Sequence, residues 1–440
     1  MNRFLFIASD YKPRPGGIAE YIDTLARGLM SLGDTVKVLG AVQPDEKERI
    51  RFLEMYEPWV VPFQFSLDRK PANPLGRRCV SLLEILRCVS PKCRRVLERT
   101  PVFQASNAAI AELDGLLSKE QPTTVIFGHL DVRLYALALA LLERKQPYGI
   151  IAHGSEICRP ANNKRNDVVR RVMMLQGADW IAPNSRHTEL ELHAWGIPLR
   201  NVELVHPPIS EEAIGESAAW EPMPRKDDEL NLVTICRLAK VKGIDIVLRA
   251  LRILAERGIP YCYVIGGVGP ERTFLESLVD ELGLAGKVHF QGLVAGEEKW
   301  RLLRNADIFV MPSRFDATIP GREGFGIAFV EAAAFGVPAI GSLSGGIPDA
   351  IVDGETGLLV PEESAADLAD ALTLLYRKPE RRKEMGRAAR ERARGQFSPK
   401  AIAARFRELS RGSSTMIPDR RVISFAGTDL LPWRPGNRIL

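Results

Sequence analysis

The sequence predicts an α/β protein built from two doubly wound parallel-sheet domains in tandem, facing each other across a deep interdomain cleft. Three observations predict it. The chain has 440 residues, 45% apolar and 26% charged, too long for one core and with ample apolar surface to offset chain entropy. Short β-rich runs alternate with helix-length amphipathic segments in both halves, the pattern of parallel strands covered by helices. Between the halves, Glu216 to Glu229 turns polar and irregular, with Pro222, Pro224 and the run Arg225-Lys226-Asp227-Asp228-Glu229. The expected organisation is a first domain over 1–215, a linker over 216–229, a second domain over 230–397, a helix over 398–411 packing back on the first domain, and an irregular tail over 412–440.

In order, Arg3 to Ala8 reads as a strand, Gly17 to Leu32 as a helix and Thr35 to Ala41 as a strand. Thr124 to Phe127, Tyr148 to His153 and Asp179 to Ala182 are the later strands of the first domain. The cycle restarts with Leu230 to Cys236, a helix over Gly243 to Glu256, and strands at Tyr261 to Ile265, Lys287 to Phe290, Asp307 to Met311 and Val337 to Gly341. Ser398 is placed to cap a last helix that has Pro399 at its first position.

Composition removes several classes. Sixty Lys and Arg against 55 Asp and Glu give +5, too little for a nucleic-acid reader. The longest strongly apolar run, Leu134 to Leu142, falls far short of the roughly 20 residues of a bilayer-spanning helix, and Met1 to Ala8 is too short for a secretory core. A cytoplasmic protein is expected. Cys79, Cys88, Cys93, Cys158, Cys236 and Cys262 form no C-x-x-C pair, which argues against both a zinc site and a disulfide framework. Basic charge concentrates in two places. Arg69 to Arg99 carries nine basic residues interleaved with Val80, Leu82, Leu83, Ile85 and Leu86, and two readings stand: a helix lying on anionic headgroups at the inner membrane face, or a surface helix packed on its own domain. Arg377 to Arg411, with thirteen, reads as solvated helix surface.

Chemistry is expected where strands empty toward the cleft. Gly16 and Gly17 sit at the first strand-to-helix turn, where backbone approaches a ligand and a helix offers free N–H groups to an anion; a plain tight turn is the bland alternative. His153, in His153-Gly154-Ser155-Glu156, is placed to hydrogen-bond a sugar hydroxyl or a reacting oxygen, against the bland reading of a structural histidine. Arg237 and Lys242, between a strand and a helix, suit a diphosphate and stabilise a leaving group without a metal. Gly266-Gly267-Val268-Gly269-Pro270 and Gln291-Gly292-Leu293-Val294 expose backbone near Gly267 and Leu293 to a nucleotide. The strongest pattern is Glu323-Gly324-Phe325-Gly326-Ile327-Ala328-Phe329-Val330-Glu331, opening a helix. At 1.5 Å per residue its carboxylates stand on the order of 12 Å apart, so one can read a sugar and the other a ribose while the N–H groups of Phe325, Gly326 and Ile327 face phosphates. Glu331 lies in an otherwise apolar stretch and needs a partner, for which a diol is suited. Ser344-Gly345-Gly346-Ile347-Pro348-Asp349 adds a flexible loop at the same end.

These residues resemble retaining glycosyltransferases of family four, which have the GT-B architecture of two facing Rossmann-like domains. The likeness runs from about Arg3 to Leu409 on the Glu323 to Glu331 spacing, the Arg237 and Lys242 pair, Gly345-Gly346-Ile347-Pro348 and Asp353-Gly354-Glu355-Thr356-Gly357-Leu358-Leu359-Val360. Within the family, Gly16-Gly17-Ile18 and His153-Gly154-Ser155-Glu156 look most like the branch of phosphatidylinositol mannosyltransferases and related bacterial glycan-assembly enzymes. The resemblance implies that Arg237 and Lys242 hold the diphosphate, Glu331 the ribose and Glu323 the donor sugar. It places His153 at the reaction centre and Gly16 and Gly17 near phosphate and acceptor. It further implies a nucleotide-sugar donor, a lipid-linked or saccharide acceptor, no metal or other cofactor, and retention by departure and attack on one sugar face. Pro207-Pro208-Ile209-Ser210, the loop Phe315 to Arg322 and the tail depart from the family pattern. A sugar-nucleotide epimerase, a small-glycoside synthase and a catalytically silent scaffold are the alternatives.

Overall fold

A computed structural model shows the protein as two six-stranded parallel sheets, and describes residues 1–11, 16–41, 59–63, 101–157, 165–197, 202–218, 229–316 and 322–412. The basic segment 69–99, the centre of the expected linker (219–228) and the tail from 413 onward lie outside these residues.

The first sheet comprises β1 (Arg3–Ala8), β2 (Thr35–Ala41), β3 (Val60–Phe63), β4 (Thr124–Phe127), β5 (Tyr148–Ala152) and β6 (Trp180–Pro183), in the order β3-β2-β1-β4-β5-β6. The second comprises β7 (Leu230–Ile235), β8 (Tyr261–Gly266), β9 (Val288–Gly292), β10 (Ile308–Met311), β11 (Ala339–Ser342) and β12 (Gly357–Val360), in the order β12-β11-β10-β7-β8-β9. Alternation along β1 sends Leu5 and Ile7 into one core and Phe4, Phe6 and Ala8 into another, so the sheet is buried on both faces by helices. On β7 the same alternation divides Leu230 and Leu232 from Val233. The sequence pattern found the interior strands and the edge strands β6 and β9, but not β3 and β12. Both are four-residue edge strands, β3 carries Pro62, and an edge strand needs no long apolar run.

The last helix, Pro399–Gly412, leaves the second domain and packs on the helix Gly17–Ser31 of the first. Ser398 Oγ accepts from Ala401 N at 3.3 Å, which caps it. Ile402, Ala403 and Phe406 complete the first domain's core, Phe406 meets Trp180 edge-on at 5.3 Å, and Arg407 reaches Asp34 at 3.2 Å. No helix among the described residues is long and apolar enough to cross a membrane.

Candidate active site

Open parallel sheets bind ligands beyond the carboxyl ends of their strands, where the strand order reverses. Those points lie between β1 and β4 in the first sheet and between β7 and β10 in the second.

The chain leaving β7 is pinned by the glycine turn leaving β8. Leu238 N donates to the Val268 carbonyl at 2.9 Å and Cys236 N to that of Gly266 at 3.0 Å. A Cβ on Gly267 would stand 1.8 Å from the Cys236 carbonyl, so this glycine is required for packing. Held this way, Arg237 is exposed and makes no ion pair among the described residues, while Lys242 turns inward and pairs with Glu323. Burial pushes the Lys242 ammonium down, but the Glu323 carboxylate outweighs it and keeps it above its ordinary value. Beside them, burial pushes the Cys236 thiol up to about 12, which makes it inert.

The backbone of Glu323 and Gly324 is wedged between the domains. Gly346 N donates to the Glu323 carbonyl at 2.8 Å, and Arg322 donates to Ser344 Oγ at 3.2 Å. A Cβ on Gly324 would fall 2.0 Å from the His153 carbonyl, and one on Gly346 would fall 2.0 Å from the Gly324 carbonyl. At Gly324 the two domains touch backbone to backbone. Gly345-Gly346 is therefore a fixed prop beneath the glutamate rather than the flexible loop expected of it.

The helix behind this loop is Ile327–Ala334, so it starts four residues after Glu323, and Gly326 caps it in the left-handed region at φ +87°. Phe325 is buried, stacked on His206 at 5.3 Å and edge-on to Phe397 at 5.5 Å. Its ring belongs to the core between the domains, while the sequence expectation for Phe325 concerns its backbone N–H. Ile327 packs on the cores of both domains, and the Cβ direction of Gly17 points to its Cδ1 at 3.8 Å. Gly17 thus faces the start of this helix. Gly16 has extended backbone and open space around it, so nothing there demands glycine.

Glu331 is 5% exposed among Phe329, Val330, Ala332 and Ala334. Its partner is Lys299 Nζ, from the helix Gly296–Arg304. The sequence reading offered a diol as the partner this carboxylate needs; the structure adds a cation from the protein itself, which takes Oε1. Leu293, at the exit of β9, is exposed.

Across the cleft, His153 Nε2 lies 2.8 Å from the Gly128 carbonyl, its ring meets Tyr21 edge-on at 5.1 Å, and its carbonyl accepts from Asn184 Nδ2 at 3.0 Å. Burial pushes it below the ordinary imidazole value, and the neutral ring carries its proton on Nε2 toward that carbonyl. The structure brings His153 to Gly324 through its backbone.

Sequence reasoning missed a second group at the same rim. Ser9 Oγ, at the exit of β1, lies 3.0 Å from His129 Nε2, at the exit of β4, and donates to Asp131 Oδ2. Arg133 Nε donates to the same oxygen at 2.7 Å and Arg133 N to Oδ1 at 2.8 Å. Burial pushes the Asp131 carboxyl up, yet the hydrogen bonds from His129, Arg133 and Ser9 outweigh it and hold it well below the usual carboxylate range. His129 Nδ1 is buried without a hydrogen-bond partner among the described residues. The available signal was His129, Asp131 and Arg133 in alternation directly after a strand, the same placement that singled out His153.

Two doubly wound domains whose strand ends close on a cation-bearing rim define a transferase of the GT-B architecture. Residues 15–213 match the family model described as Glycosyltransferase Family 4, and residues 220–392 that described as Glycosyl transferases group 1. The chain belongs to this glycosyltransferase family. It is 28% identical to a GDP-mannose-dependent alpha-(1-6)-phosphatidylinositol monomannoside mannosyltransferase of Mycobacterium tuberculosis, over 94% of this chain and 99% of that one. It is 36% identical to a D-inositol 3-phosphate glycosyltransferase of Corynebacterium aurimucosum, over 43% and 45% of the two chains. Among solved structures, Anabaena Alr3699/HepE in complex with UDP superposes with a TM-score of 0.69 at 17% identity, covering 94% of this chain and 100% of that one.

Proposed function

We propose that the protein transfers a sugar, with retention of anomeric configuration, from a nucleoside-diphosphate sugar to a lipid-linked or polysaccharide acceptor at the cytoplasmic face of a membrane. The observation that carries the reading is the rim of the second domain: exposed Arg237 beside the Lys242–Glu323 pair, with Glu323 pressed against the first domain through Gly324. The full-length mannosyltransferase relative supports a nucleotide-sugar donor and favours a mannosyl group and a glycolipid acceptor.

In this reading Arg237 and Lys242 meet the diphosphate. An ammonium has three donors, so Lys242 can hold Glu323 and a phosphate oxygen together, tying the carboxylate that reads the donor sugar to the charge that builds on the leaving group. Fixed cations serve where a metal otherwise would, and no other cofactor is called for. The departing phosphate takes the proton of the acceptor hydroxyl, which attacks from the same face, so no separate protein base is assigned. Glu331 reads the ribose and Gly17 borders the phosphate. His153 and the Ser9–His129–Asp131–Arg133 group form the acceptor-facing wall. The segment 69–99 supplies the contact with anionic lipid.

The test is release of nucleoside diphosphate by the purified protein from a panel of UDP-, GDP- and ADP-sugars in EDTA, with the anomeric configuration of the product read by NMR. Release with an α-linked product from an α-linked donor is expected. Strict dependence on added metal, or an inverted product, overturns the corresponding part of the reading.

A further inference from the structure

A buried carboxylate without a partner is unfavourable, and Glu331 has one that comes from 32 residues upstream in sequence. Lys299 lies on the helix Gly296–Arg304, which follows β9 and is anchored from below. Trp300, 3% exposed, donates through Nε1 to Glu212 at 3.0 Å and stacks on Phe335 at 5.7 Å, and Arg304 reaches Glu216, both glutamates lying on the helix Glu211–Ala218. The Lys299 ammonium, 4.7 Å from the centroid of the Trp300 ring, meets Glu331 at Oε1. An ionised carboxylate offers about four lone-pair sites, of which this contact uses one.

We infer that Lys299 is a positioning residue for nucleotide recognition: by fixing the Glu331 carboxylate at Oε1, it leaves the remaining acceptor sites of that carboxylate set to take the two ribose hydroxyls. This rests on the assignment of Glu331 to the ribose and adds the residue that makes the assignment workable. Lys299 itself touches no substrate. Its contribution exists only where there is a diol to read, so it must vanish when the diol is removed from the ligand. A lysine that merely stabilised the fold would affect every nucleotide alike.

The experiment is calorimetric titration of the full chain with GDP and UDP and with their 2′,3′-dideoxy counterparts, for wild type, Lys299→Met, Lys299→Arg and Glu331→Gln. Charged hydrogen bonds of about 1.5–3 kcal/mol correspond to about 10–150-fold in affinity, so Lys299→Met is expected to weaken the ribonucleotide by about tenfold or more. Its dideoxy affinity is expected to stay at the wild-type value, and Lys299→Arg to keep the ribonucleotide preference. In turnover, Lys299→Met is expected to raise the donor KM while sparing kcat. Should Lys299→Met fail to fold, Lys299→Gln carries the same comparison. Equal weakening of ribo- and dideoxynucleotides by Lys299→Met, or no weakening, overturns the inference. If Glu331→Gln also weakens ribo- and dideoxynucleotides equally, so that the wild-type preference for the ribonucleotide survives, the ribose assignment has failed. If Glu331→Gln erases the preference while Lys299→Met keeps it, the assignment stands and only the role of Lys299 falls.

Discussion

The two rims that face each other across the cleft handle charge in opposite ways. On the second domain, opposite charges pair one to one between separate elements: Lys242 with Glu323 and Lys299 with Glu331. Arg237 is left exposed beside them. On the first domain, Ser9, His129 and Arg133 converge on the single carboxylate of Asp131. A rim of two-membered pairs keeps spare donors and acceptors that a charged ligand can share. A rim closed around one carboxylate is rigid and presents mostly its outer surface. On the function proposed above, the contrast assigns recognition of the diphosphate-bearing donor to fixed side chains and leaves the acceptor to be read by shape.

The most severe way to break the contrast is to remove its charged centre. Glu323→Ala, which strands Lys242, is expected to lower turnover by about 10³-fold. Circular dichroism should show the fold retained, and near-normal turnover would dismantle the assignment. Separating the rims without touching either comes next. Gly324→Val drives a side chain into the His153 carbonyl and is expected to cost about 10²-fold in kcat/KM, because small misplacements of reacting groups are that costly. Affinity for the nucleoside diphosphate alone should hold, since Arg237, Lys242 and Glu331, the side chains proposed to bind it, all lie on the second domain.

The third test reads the first rim through stability. At neutral pH, Asp131→Asn is expected to cost about 3 kcal/mol, as for a buried charged group that loses its partner. Folding lowers the Asp131 carboxyl below its unfolded value near about 4, so its stabilisation is complete above that pH and is lost as pH falls toward the depressed folded value. Denaturant midpoints should show the gap between wild type and variant closing below about pH 4, and a pH-independent gap would mean that Asp131 ionisation contributes nothing. The mildest change is Gly16→Ala, with extended backbone and no neighbour within 4 Å, which is expected to shift stability by less than about 0.5 kcal/mol and leave turnover unchanged. A large loss there would reveal a ligand contact at the loop.

The sequence made the interior strands readable because parallel strands covered on both faces are nearly continuous apolar runs. It also placed Arg237, Lys242 and Glu323 at one rim, since loops at the carboxyl ends of parallel strands must share an edge. Pairing across distance was not readable. Lys299 looks like one more polar residue in Glu297-Glu298-Lys299, and only the packing of two helices brings it to Glu331. Ser9 and His129 are 120 residues apart and meet because β1 and β4 are neighbours in a crossed-over sheet. Phe325, adjacent to the strongest motif, went to the core because His206 and Phe397 offered it apolar cover. Local pattern says where a loop emerges; it does not say which of its side chains turn back.

The helix Pro399–Gly412 sets an order on synthesis. Phe406 and Ile402 fill the space beside Trp180 and along the Gly17–Ser31 helix, so the lobe translated first is finished by a segment translated after the whole of the second lobe. Throughout elongation that groove stays uncovered, and when it fills, the polypeptide has crossed between lobes twice. An expression clone halted at Phe397 would therefore yield a first lobe with an open flank, prone to sticking to its neighbours, however complete the second lobe looked.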